Sequence, residues 1–185
     1  MTDRVFQENS VNLPLNWTPP EQIITIFDVF IGYLLLDAWI GNSDRHHENW
    51  AFIRTQSATY LAPTYDHASS LGRNESDEKC KQRLMTKDQG FSVQAYVEKC
   101  QSCVYANSSE KKPLKTFDAF IQAAQYNPKA AYRWLENLAK ISTSDTLKLF
   151  QKIPPERIAS ISIEFAQKIL EINQTRLLAL RDTRL

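Results

Sequence analysis

Glycine is scarce in this chain. Its four glycines, Gly32, Gly41, Gly72 and Gly90, never stand close together. A loop that wraps backbone N–H groups around phosphates needs glycines in a tight group, so the sequence offers no such loop of its own. Charge of one sign is missing too. With 22 basic residues against 21 acidic ones, no overall field draws the chain to nucleic acid or to an anionic membrane. Direct nucleic-acid binding is not expected, and any affinity for phosphate has to be local. Cysteines are few and odd in number, at Cys80, Cys100 and Cys103, and the opening MTDRVFQENS carries no apolar leader segment. The expectation is a reducing, cytoplasmic setting. Cys100 and Cys103 form a CxxC pair, yet zinc asks for four ligands. VQAYVEKCQSCVY reads as helix rather than as the turn on which redox motifs sit, so these read as plain thiols. Nor is there an uninterrupted apolar run. The stretch from Ile23 to Ile40 is broken by Asp28 and Asp37, each costing about 2.5–3.5 kcal/mol at a bilayer centre. No membrane span is expected.

What is present is an ordinary globular balance, 43% hydrophobic and 23% charged over 185 residues, enough for one core. The chain reads as a single domain, 1–185, with residues 1–18 as an N-terminal arm. A buried central helix is predicted from residue 19: Thr18 as cap, Pro19 and Pro20 in the first turn, Glu21 closing a capping box. Its nearly all-round apolarity calls for other helices about it, and Gly41 with Asn42 makes a left-handed stop. Beyond residue 90, LKTFDAFIQAAQ, PKAAYRWLENLAKI, SDTLKLFQKI and PERIASISIEFAQKILEINQTRLLALRDT read as four helices. The last carries a core-facing stripe through Phe165, Ile169, Leu170 and Leu177. The charged RNESDEKCKQR, with Ser69, Ser70, Ser76 and Thr86 around it, reads as a solvated loop.

The polar chemistry is concentrated at GNSDRHHENWAFI, residues 41–53. Polar groups beside a buried element must be hydrogen-bonded, metal-bound or wet. Asp37, in the last turn of the central helix, is disfavoured by the helix dipole and should pair with Arg45 or with loop N–H groups. WAFIR and TYLAP read as an antiparallel hairpin closed by Arg54 and Thr59. That register sets position 49 opposite position 64 and makes Asn49 and Asp66 neighbours, with Asp44 at the same end. Two carboxylates and an amide suit a hard cation such as magnesium better than zinc.

In the protein kinase catalytic loop, an aspartate that orients the acceptor hydroxyl is followed five positions later by a metal-binding asparagine, and a second metal-binding aspartate comes a hairpin later. Asp44, Asn49 and Asp66 have this spacing. In detail, NSDRHHENW followed by LAPTYDHASS resembles the HipA-like family of bacterial serine/threonine kinases, and IPPERIASISIEFAQKILEINQTRLLAL is similar to that family's C-terminal helix. The resemblance covers about residues 20–180. It implies a mainly α fold, a helical kinase C-lobe-like domain with one short β-hairpin carrying the motifs, and a protein serine or threonine substrate phosphorylated from ATP with Mg2+. It assigns Asp44 as the catalytic residue and Asn49 and Asp66 as metal ligands. His46 and Tyr65 then lie toward the nucleotide, although the more usual role of a histidine such as His46 is to hydrogen-bond its own loop, and Tyr65 serves equally to fill core. The family's toxin members partner a DNA-binding antitoxin, which adds a toxin–antitoxin setting to the expectations. The DFG triplet is here Tyr65, Asp66 and His67, and Ser43 precedes Asp44; the family's pattern accommodates both. With 18 residues ahead of the predicted helix and no glycine-rich loop, no N-lobe is expected within this chain, and one from another polypeptide is. Two other readings use the same residues: an inactive kinase-fold remnant serving as a binding module, and a metal-dependent hydrolase, whose two-metal form wants more bridging ligands.

Overall fold

The computed structural model describes residues 11–182. Its elements are β1 (Val11–Asn12), α1 (Ile26–Ile40), β2 (Phe52–Arg54), β3 (Thr59–Leu61), α2 (Asp77–Met85), a 3-10 turn (Gln89–Phe91), α3 (Val93–Glu98), α4 (Thr116–Tyr126), α5 (Pro128–Ala139), α6 (Thr143–Phe150) and α7 (Ser160–Ala179). Helix α1 is the central one, packed against α4, α5 and α7. Ile31, Leu34 and Leu35 from α1 meet Phe120, Leu135 and Leu177 in the main core. A second cluster, Cys80, Val93, Val97, Phe165 and Ile169, forms where α2 and α3 lie on α7. The stripe of α7 thus serves both cores. No helix of the described residues is long and apolar enough to cross a membrane.

The central helix starts later than its sequence suggests. Thr25, not Thr18, is the cap: its hydroxyl accepts from the Asp28 N–H at 3.1 Å, and the Asp28 carboxylate accepts from the N–H groups of Ile24 at 2.9 Å and Thr25 at 2.8 Å. Asn127, 99 positions away, donates to the other Asp28 oxygen at 2.6 Å. Asp28 is 2% exposed, and a buried carboxylate must collect donors. It finds them only if the chain turns aside before residue 26, which Gln22 does with φ of 73°. The helix ends as expected, with Gly41 left-handed at φ 65° and its N–H returned to the Asp37 carbonyl.

The hairpin has the predicted register, Arg54 opposite Thr59, Ile53 opposite Tyr60 and Phe52 opposite Leu61. A third strand was not foreseen. β1 lies parallel beside β3, giving the order β1-β3-β2, and two residues are too few to show strand alternation in sequence. Part of the predicted N-terminal arm therefore belongs to the fold, with Leu13 and Trp17 against the core; residues 1–10 lie outside the described residues.

Three other expectations are corrected. RNESDEKCKQR is not a loop from residue 77 onward but α2, capped by Ser76 and pinned by buried Cys80; its charges face outward, apart from the Arg83–Glu75 pair at 3.0 Å. A nine-residue helix with one buried side chain has too weak an apolar stripe to announce itself. The helix expected across VQAYVEKCQSCVY stops at Glu98. The chain then pairs with residues 114–116, Thr116 N–H to Cys100 O at 3.0 Å and Ser102 N–H to Leu114 O at 2.8 Å. Finally, α7 begins at Ser160 rather than at 155, after a turn through Pro154 to Arg157.

Because Asp28 joins the α1 cap to Asn127, Asp28→Ala strands two backbone donors and an amide. The variant is expected to lose about 2 kcal/mol or more of unfolding free energy in urea titration. A loss below about 0.5 kcal/mol, the scale of ordinary surface changes, would show that water replaces the carboxylate.

Candidate functional site

The site is assembled around one buried cation. Arg45, its side chain 1% exposed, puts Nε and Nη2 on the two oxygens of Asp37, the second at 2.8 Å. Nη1 donates to the Asn49 carbonyl at 3.0 Å and Nη2 to Thr64 Oγ1 at 2.8 Å. Asn42 also donates to Asp37 Oδ1, at 2.8 Å. A single guanidinium therefore joins the end of α1, the 42–49 loop and the segment leaving β3. It replaces the expected ladder between positions 49 and 64. Backbone pairing stops at Ala62 N–H to Ala51 O, 2.9 Å, and Arg45 bridges the strands beyond. It also lies 5.7 Å from the ring centroid of Tyr33. Burial pushes the Tyr33 hydroxyl pKa up to about 12 against the pull of Arg45, and that hydroxyl stays protonated and donates to the Ala62 carbonyl at 2.9 Å.

On this scaffold the loop is self-braced. The Asp44 N–H donates to Asn42 Oδ1 at 3.2 Å, and its carbonyl accepts from Asn49 Nδ2 at 2.6 Å. The Asp44 carboxylate accepts from Ser69 Oγ at 3.3 Å and lies 3.6 Å from His46 Nε2. Asn49, 4% exposed, thus spends its NH2 group inside the loop. Its Oδ1 accepts no hydrogen bond from any described residue. Asp66 is exposed and left-handed at φ 53°, a conformation uncommon outside glycine and concentrated at functional sites; its carboxylate also takes no hydrogen bond from a described residue. The hydroxyl of Tyr65, a residue 37% exposed, donates to the Glu48 carbonyl at 2.7 Å, tying the segment after β3 to the loop. The ring of His46 is turned onto its own loop, Nδ1 accepting from the Glu48 N–H at 3.2 Å.

Sequence reasoning passed over several contributors. Thr64 relays Arg45 to His67, whose Nε2 is 2.8 Å from Thr64 Oγ1. Burial and then Arg45 lower the His67 pKa, with Asp37 and Asp66 pulling the other way, so this histidine is neutral near pH 7. Cys103 puts its Sγ 3.6 Å from the Ser43 carbonyl, and burial followed by the charges of Asp44 and Asp37 pushes its thiol pKa up. Neither Thr64 nor Cys103 carries a local signal, since each reaches the loop through a contact distant in sequence, Thr64 with Arg45 and Cys103 with Ser43.

The donor set fits magnesium in its usual manner. Among the described residues no group of three or more His, Cys, Asp or Glu side chains gathers to hold an ion, so no closed protein cage exists. An amide oxygen and one or two carboxylates, left open to water and phosphate oxygens, are what Mg2+ accepts. The arrangement lies on open surface. A cavity of about 680 Å3, lined by Ser70, Leu71, Arg73, Arg157 and Phe165 among others, contains none of Asp44, Asn49 and Asp66.

No family model matches the sequence, and no curated protein matches it. Among solved structures, the chain is similar to a Helicobacter pylori proinflammatory kinase, CtkA, with a TM-score of 0.64 and 23% identity over 83% of this chain and 54% of that one. The likeness defines the class: a kinase-like fold, of which this chain forms a mainly helical, C-lobe-like domain. It spans about half the length of that kinase structure.

Two outcomes follow from the geometry. Arg45→Met leaves Asp37 buried without its counter-charge and is expected to cost about 3–5 kcal/mol in urea unfolding, most of it regained in the Asp37→Leu, Arg45→Met double variant. Additive losses would mean that the pair is not the unit. For Cys103, burial and then the nearby anions Asp44 and Asp37 hold the thiol above its ordinary pKa, so alkylation by iodoacetamide is slow at pH 7 and quickens as pH rises. Asp44→Asn removes one anion, lowers that pKa and should speed labelling at fixed pH. An unchanged rate would place Asp44 too far away to matter.

Proposed function

We propose that this chain is the C-lobe of an ATP- and magnesium-dependent serine/threonine phosphotransferase of HipA type, completed by an N-lobe from another polypeptide and acting on a protein hydroxyl in the cytoplasm. The observation that carries the reading is the division of labour within Asn49. Its NH2 group holds the Asp44 carbonyl while its Oδ1 accepts from no described residue, and Asp66, on the segment after the hairpin, likewise keeps its carboxylate unspent. Asp44 orients the acceptor hydroxyl and takes up its proton, a role that needs a carboxylate held at fixed orientation; the loop bonds and Ser69 supply that. Asn49 and Asp66 would hold the magnesium, which when bound neutralises charge developing on the transferred phosphoryl group. Arg45 touches no reactant and acts by keeping the loop and the Asp66 segment in register. Tyr65 and His46 brace the loop on the side where nucleotide would lie. A DNA-binding antitoxin is the partner the HipA resemblance suggests.

The open surface at the site also supports a second reading, a binding module without transfer, since Ile53 and Tyr65 are each 37% exposed on the hairpin and just beyond it. Phosphate transfer and nucleotide titration, with a candidate N-lobe present, separate the two. Asp66→Asn should abolish transfer and weaken magnesium-dependent nucleotide binding, whereas Asp44→Asn should lower kcat by about 10²-fold or more with nucleotide affinity kept. Full activity in Asp44→Asn, or equal loss of nucleotide affinity in both, would overturn these roles. No transfer by the wild type together with undiminished partner binding in both variants would establish the module.

A further inference from the structure

His67 has one ring nitrogen committed and one open. Its Nε2 lies 2.8 Å from Thr64 Oγ1, and the same oxygen lies 2.8 Å from Nη2 of Arg45. A guanidinium can only donate, so Thr64 Oγ1 accepts from Arg45 and keeps its single proton for another partner. Among the described residues that partner is His67 Nε2. In a neutral imidazole the nitrogen that accepts leaves the ring proton on the other, here Nδ1; in an imidazolium both nitrogens carry protons. Nδ1 is therefore a donor in either charge state.

That donor is held in place and left without an acceptor. The contact between Thr64 and His67 spans three residues across the left-handed Asp66, φ 53°. The His67 carbonyl accepts from Ser70 Oγ at 2.7 Å, so ring and backbone are each tied. The two nitrogens of an imidazole point in diverging directions. With Nε2 turned toward Thr64 and the buried Arg45 behind it, Nδ1 faces away from that base. It donates to no described residue and is not sealed from solvent. The Asp66 carboxylate, one residue back, is close enough to act on the charge of the ring. An anchored N–H beside a carboxylate that would hold magnesium meets the oxygens such an ion brings with it, and in sites of this kind those are water and phosphate oxygens.

We propose that His67 is a phosphate-binding residue, its Nδ1–H donating to a non-bridging oxygen in the phosphate chain of a nucleoside triphosphate, and that Thr64 fixes the proton on Nδ1 for this contact. The proposal rests on the phosphotransferase reading. Arg45 then serves the site twice. Through Thr64 it holds the Asp66 segment in register, and one hydrogen bond further on it settles which nitrogen of His67 presents a proton to the ligand.

The first test needs no nucleotide. Nitrogen NMR of the histidine rings, with His67 assigned by its loss in His67→Gln, should find the neutral ring protonated on Nδ1, and Thr64→Val should remove that preference. A wild-type ring protonated on Nε2 overturns the proposal, as does a tautomer that Thr64→Val leaves unchanged. The second test titrates ATP with magnesium into the full chain joined by a candidate N-lobe. His67→Asn sets an amide N–H near the place of Nδ1 and gives up the bond to Thr64, whereas His67→Gln reaches the place of Nε2 and gives up Nδ1. His67→Asn is expected to keep nucleotide affinity within about twofold and His67→Gln to lose about tenfold or more, the scale of one hydrogen bond to a charged group. The reverse order, or affinities that do not differ between the two variants, assigns His67 to bracing alone and overturns the proposal; phosphate transfer by the wild type then leaves the phosphotransferase reading standing. No nucleotide binding by the wild type overturns both.

Discussion

Everything at the candidate site hangs on the pairing of Arg45 with Asp37 inside the protein. A guanidinium and a carboxylate taken out of water lose several kcal/mol of solvation each, and their mutual attraction seldom returns more than that. The arrangement is therefore a poor way to gain stability and an effective way to fix position. A planar fork of donors with one geometry available commits the end of α1, the Asn49 carbonyl and Thr64 to a single mutual placement. Three chain segments with no backbone ladder between them become one body.

That rigidity permits the rest to remain open. Asn49 is buried with an amide hydrogen given to the Asp44 carbonyl and its oxygen unspent, and Asp66 stands exposed in a left-handed backbone with no donor among the described residues. Groups left unsatisfied in this way are costly unless a ligand or water meets them, and they would drift if the loop beneath were soft. The site thus combines a dry, over-determined base with a wet, under-coordinated surface. The second core, where Cys80 and Phe165 meet, holds the segment after Asp66 from the other side, so that residues 69–72 are caught between the loop and α7.

The likeness to a kinase of known structure at 23% identity is understandable in these terms. A fold survives wide sequence change because cores tolerate exchange of apolar residues at conserved volume. The helices around α1 ask only for such residues at suitable spacing. The loop asks for particular chemistry at particular positions, and that chemistry is confined to the 28 residues from Asn42 to Ser69.

Much of this could be read along the chain. The apolar run of α1 and its glycine stop, the hairpin register, the four later helices and the spacing of Asp44, Asn49 and Asp66 all follow from interactions between residues close in sequence, and these are what periodicity, capping and turn chemistry report. Where the reading failed, the deciding partner was far away. Asn127 stabilises Asp28 and moves the start of α1 from residue 19 to 26; Cys80, buried on α7, turns a charged stretch into helix; residues 114–116 draw the CxxC segment out of helix. The same holds at the site. The sequence by itself determined which residues are the candidates, because their types and spacing are local. Only the tertiary structure decided that Arg45 would bind them together, that Asn49 would keep its oxygen free and that Ser69 would lie on Asp44, because each of these depends on donors and acceptors brought together by the packing of α1, the hairpin and α7.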